Sequence, residues 1–118
     1  MAITFDAANT KITTSYTTHN TTRTYAFWSY ANSDGEGDLA RMFDKRDAGA
    51  EVELMLINVD GIGNDGVYYV RVFSGATGEW FVTNPGFSAW HHIAVTFDSS
   101  SATNNPVIYT DGVSQTVT

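Results

Sequence analysis

Cysteine is missing altogether from these 118 residues, which removes disulfide frameworks, thiolate metal sites and cysteine nucleophiles together. Proline is nearly as rare, with two residues, and basic charge is scarce: six Lys and Arg stand against thirteen Asp and Glu, a formal charge of -7. A surface of that sign repels a phosphate backbone, so nucleic acid is not an expected partner. No stretch of eighteen consecutive apolar residues occurs, so membrane insertion through a helix is not expected. Met1-Ala-Ile-Thr-Phe-Asp6 carries neither the basic nor the apolar region of a secretion signal. Helical periodicity of useful length is also lacking.

What remains is a β vocabulary. Hydrophobic residues make up 42% and aromatics 14% of the chain, enough for a packed interior, and sixteen threonines favour pleated, half-buried surfaces. The length suits one domain, residues 1–118. Short runs of branched and aromatic residues between Gly, Asn, Asp and Ser clusters predict strands at Ala2–Asp6, Lys11–Ser15, Arg23–Tyr30, Leu39–Asp44, Glu51–Val59, Val67–Phe73, Glu79–Thr83, Trp90–Asp98, Val107–Thr110 and Val113–Val117. Asp111-Gly112 between the last two is the strongest hairpin signal, because a type I′ turn needs positive φ at both central positions. A single sheet would leave one apolar face wet, so the expectation is an all-β, antiparallel sandwich of jelly-roll type.

In Trp90–Asp98, period two sets His91, Ile93, Val95 and Phe97 on one face and Trp90, His92, Ala94 and Thr96 on the other. The aliphatic row is the buried one, which makes His91 a hydrogen-bonded histidine at a strand end, and the two adjacent histidines cannot clasp one metal. Trp28 and Trp90 are expected to plug the interior, while Trp80 is left open between core and surface.

The stretches "WHHIAVTFD" and "VIYTDGVSQTVT", preceded in order by Ile3–Thr13, Thr24-Tyr-Ala-Phe-Trp28 and Met42-Phe-Asp-Lys45, resemble the strands of laminin-G-like domains in the concanavalin A-like lectin and glucanase superfamily. That resemblance implies a jelly-roll sandwich with a binding, non-catalytic role. It also implies further strands beyond the Asp-Gly hairpin, where this sequence stops at Thr118. The expectation is therefore a trimmed sandwich or one completed by another chain, and hence a homo-oligomer or larger assembly.

Catalytic signals are weak. Glu51 and Glu53 offer two same-face acids, but Met55 stands where a third acid of a glucanase strand would be, so the pair needed for glycoside hydrolysis is incomplete. The simpler reading has both glutamates solvating the outer face of a strand whose Val52, Leu54 and Leu56 face the core. No Gly-x-Ser-x-Gly elbow exists, and Gly61-Ile-Gly-Asn-Asp-Gly66 has no helix after it to cradle a phosphate. The chain is expected not to be an enzyme.

Binding signals are better. Asn32, Asp34, Glu36 and Asp38 set oxygen side chains at alternate positions of one loop, a pattern that can wrap calcium, although a solvated acidic turn is the simpler reading. Asp60, Asn64 and Asp65 form a weaker second set. Trp80, Phe81, Asn84 and Tyr68 are candidate ligand-binding residues, because flat rings stack on sugars while an amide bonds their hydroxyls. Asn20-Thr-Thr22 is a formal glycosylation acceptor without functional weight here. Two readings follow. One is a recognition module at an extracellular or virion surface, binding glycan or protein through its loops. The other is a structural decoration or appendage protein of a phage virion.

Overall fold

A computed structural model describes residues 21–33, 40–47, 50–58, 66–73 and 76–118 of the chain. The expected strands at Ala2–Asp6 and Lys11–Ser15 lie outside them. The described residues form eight strands: β1 (Thr22–Tyr30), β2 (Ala40–Asp47), β3 (Ala50–Asn58), β4 (Gly66–Phe73), β5 (Ala76–Thr83), β6 (Trp90–Asp98), β7 (Val107–Thr110) and β8 (Val113–Gln115). They make two four-stranded sheets, β1-β6-β7-β8 and β2-β3-β4-β5, antiparallel throughout. The expected all-β, antiparallel sandwich is what the chain adopts.

Between the sheets lies one apolar layer. Ile93, Val95, Phe97 and Ile108 of the first sheet meet Val67, Tyr69, Trp80 and Val82 of the second, all almost fully buried. Aromatic rings bridge the layer: Phe97 sits 5.7 Å from Tyr69 and 5.2 Å from Trp80, and Tyr25 sits 4.4 Å from Phe43. Each such side chain contributes about 1.5–3 kcal/mol by leaving water. Arg23 reaches under the sheet end, its guanidinium 5.5 Å from the Phe97 ring centre and donating to Ser99 Oγ at 2.8 Å.

Period two accounts for β1 throughout and for β6 apart from Ala94, which is buried although it lies on the outer parity. Tyr25, Phe27 and Ser29 turn partly inward while Thr24, Ala26, Trp28 and Tyr30 are exposed. The expectation that Trp28 and Trp90 plug the interior is overturned: they are 64% and 53% exposed. Both have the parity opposite to Phe27 and Ile93, and strand alternation outweighs the tendency of large rings to go inside.

Trp80 resolves the other way. It is 7% exposed, stacks 6.0 Å from Tyr69 and donates its indole N–H to Asn105 Oδ1 at 2.9 Å. Its ring lies directly over Gly78, where a Cβ would collide with the six-membered ring. β5 starts at Ala76 rather than at the expected Glu79, and Gly78 within it leaves the space into which the tryptophan folds.

Register joins β3 to the rungs of β4 and β5. Met55 shares a rung with Tyr69 and Trp80 of the core, and Glu53 with Arg71 and Gly78. Four consecutive apolar residues, Leu54-Met-Leu-Ile57, leave the alternation ambiguous, and a one-residue slip exchanges the faces.

Candidate functional site

The outer face of the first sheet is built from alternate residues of β1 and β6 held in direct register. Tyr30 pairs with Trp90, Trp28 with His92, Ala26 with Ala94, Thr24 with Thr96 and Thr22 with Asp98. The Ala26–Ala94 row continues through Tyr109 to Ser114, and the Thr24–Thr96 row reaches Val107. Successive rows are two residues apart, so the five rows extend about 27 Å along the strands.

Rings crowd one end of this face. Trp28 and His92 lie 5.3 Å apart at 60°, and Tyr30 and Trp90 lie 5.5 Å apart at 62°. These are edge-to-face pairs, which brace one another without stacking flat and so leave ring faces open to solvent. Tyr30 is 46% exposed, alongside the two exposed tryptophans. Next to the rings the surface steps down to the exposed Ala26 and the buried Ala94, and beyond them it turns to hydroxyls with the exposed Val107 among them. Asp98, at the far end, is the one carboxylate in the five rows, and no Lys or Arg occupies any of them. The backbone N–H of Ser100 donates to Asp98 Oδ1 at 2.9 Å and holds its carboxyl below the usual range.

At the ring end, Asp111 fixes the turn to β6. The hairpin has φ of 52° at Asp111 and 80° at Gly112, positive at both central positions as a type I′ turn requires. Asp111 Oδ2 is 2.8 Å from His91 Nδ1, and Oδ1 accepts the His92 backbone N–H at 2.8 Å. A carboxylate only accepts, so His91 Nδ1 carries the proton. The two hydrogen bonds lower the Asp111 pKa, that from the His91 ring most. His91 is thus the hydrogen-bonded strand-end histidine expected, and His92 points to the opposite face.

Around His91 a small hollow opens between the sheets, touching Ser29, Met42, Asn84, Gly86 and Ile93. It encloses about 240 Å³ even counting space open to solvent. Ligand pockets run from about 300 to 1,000 Å³, so this hollow is smaller than a typical ligand pocket.

Of the candidate site residues read from sequence, Asn32, Trp80, Phe81 and Asn84 have described side chains. Trp80 is in the core and presents no ring to a ligand. Phe81 is half-buried and follows it on the opposite side of β5, its register neighbour being Tyr68, whose side chain is outside the described set. Asn84 lies in the turn after β5, where its Oδ1 accepts the Gly86 N–H at 2.9 Å. Of the calcium candidates Asn32 is exposed just past β1, while Asp34, Glu36 and Asp38 lie outside the described residues, as do Asp60, Asn64 and Asp65. Among the described residues no three His, Asp or Glu side chains cluster to hold a metal. The aromatic face was legible all the same: Trp28, Tyr30, Trp90 and His92 share one parity in paired strands. Searches against family models, curated proteins and solved structures return no match.

Proposed function

We propose that this chain is a non-catalytic recognition module of an extracellular or virion surface, and that it binds through the aromatic face of β1 and β6 rather than through its loops. The observation that carries this reading is the pair of exposed cross-strand ring contacts, Trp28–His92 and Tyr30–Trp90. Soluble domains seldom leave two tryptophans and a tyrosine together in water without a use for them. Rings anchored on hydrogen-bonded strands also lose little freedom on binding, so contact area is converted to affinity efficiently. The resemblance of β6 to β8 to laminin-G-like strands supports the same class of role. An array of immobilised glycans and surface proteins, probed with the native chain and with Trp28→Ala/Trp90→Ala, tests it. Targets bound by the native chain and lost by the variant support the reading; targets retained at equal strength overturn it.

A second reading, a structural subunit of a virion or other assembly, draws on a different observation. Phe81 and Thr118 exchange both backbone hydrogen bonds, at 3.1 and 3.2 Å. At this rung the edge of β5 accepts the chain's own Thr118 as a backbone partner, and an edge open to such pairing is the kind that strand addition between chains uses. Sedimentation at rising concentration tests this reading, and a monomer throughout would overturn it.

A further inference from the structure

We infer that the ligand of the aromatic face is a neutral, chain-form polysaccharide lying along β1 and β6, its pyranose rings against Trp28 and Trp90 and its hydroxyls toward the threonine rows. The inference rests on the recognition reading above and narrows it to one chemistry.

Four features of the face converge on that chemistry. The large apolar groups at its ring end are all aromatic, and the electron-rich face of an indole attracts the polarised C–H groups on one side of a sugar ring without needing charge. Beyond the small Ala26–Ala94 step come the exposed Thr22 and Thr24 and the half-buried Thr96, with Tyr109 and Ser114 beside them. Each of these hydroxyls both donates and accepts, which suits a partner whose own groups do both. The five rows hold no Lys or Arg, and the chain carries -7 overall, so sulfated or uronic glycans and nucleic acid meet repulsion with no cation to offset it. Finally, the face is an open strip about 27 Å long rather than a pocket. That shape accepts the side of a polymer, not the end of one sugar.

The same face could be met by a second copy of the chain, and the experiment separates the two. Soluble neutral polysaccharides (a β-glucan, a xylan and a mannan) and the polyanions heparin and alginate are titrated into the native chain while tryptophan emission and acrylamide quenching are followed. Binding is then measured calorimetrically for Trp28→Ala, Trp90→Ala and, as a distant control, Thr103→Ala. The expected result is that at least one neutral polymer shifts the emission and shields it from quencher. Each tryptophan variant then binds about tenfold or more weakly, with an unchanged melting temperature, and Thr103→Ala binds normally. The native-chain fluorescence stands even if a variant fails to fold. A response to heparin or alginate alone, or a tryptophan-dependent dimer without glycan binding, overturns the neutral-polysaccharide inference while the aromatic face survives as a recognition site. Neutral polymer bound equally by both variants overturns the face itself. Silence from every neutral polymer overturns the inference.

Discussion

His91 Nδ1 and Asp111 Oδ2 stand 2.8 Å apart, tying a hairpin turn to the strand behind it. The turn residue thereby does two jobs, supplying the backbone shape of a type I′ turn and a carboxylate that holds the start of β6.

That carboxylate makes stability depend on acid. The folded-state pKa of Asp111 is depressed by the His91 ring and the His92 N–H, so its contribution is complete above its unfolded value near pH 4 and is lost as pH falls through the lower folded value. Asp98 acts in the same direction through Ser100. Asp111→Asn should therefore lower the melting temperature at neutral pH and narrow the gap to the native chain as pH drops below about 4, as melting curves across that range would show.

Gly78 is predicted to tolerate no side chain. Gly78→Ala places a methyl into the Trp80 ring, and overpacking of this kind costs about 1–3 kcal/mol. In a Trp80→Leu background the added cost of Gly78→Ala should shrink, a coupling that denaturant titration of the double-mutant cycle measures.

Thr110 offers a gain instead. Its hydroxyl is buried and has no hydrogen-bond partner among the described residues. Replacing it by valine keeps the shape and removes an unsatisfied polar group, so Thr110→Val should stabilise the fold by about 1 kcal/mol. A higher urea midpoint at unchanged slope is the expected record.

The three tryptophans differ enough to be told apart by light. Trp28 and Trp90 are open to solvent and Trp80 is enclosed. Trp28→Phe/Trp90→Phe should emit at shorter wavelength and resist acrylamide, whereas Trp80→Phe should leave a red-shifted, readily quenched spectrum.

Sequence reading reached furthest where polarity alternates cleanly. Trp90–Asp98 and Val107–Thr110 match their strands to the residue, and Asp111-Gly112 has the turn it announces. It failed where two rules compete. Tryptophan's size argued for the interior at Trp28 and Trp90 against their parity, and parity won because the opposite face of each strand already filled the core. Gly78 lies inside a strand expected to begin at Glu79, and the Trp80 ring fills the space its missing side chain leaves. In β3 apolar residues occupy both parities, so alternation alone does not choose a face there. The exposed aromatic face went unread through the first of these conflicts, because Trp28 and Trp90 were assigned to the core.

The strand order has a kinetic consequence. β2 to β5 pair each with the next, so that sheet closes by successive hairpins, whereas β1 must find β6 across at least 60 residues, the separation of Tyr30 from Trp90. Closing so long a loop is slow compared with zipping adjacent strands. The meander is thus placed to form first and to serve as a template. Until β1 arrives, the partly folded chain leaves one backbone edge of β6 unpaired, and refolding yield should fall with protein concentration.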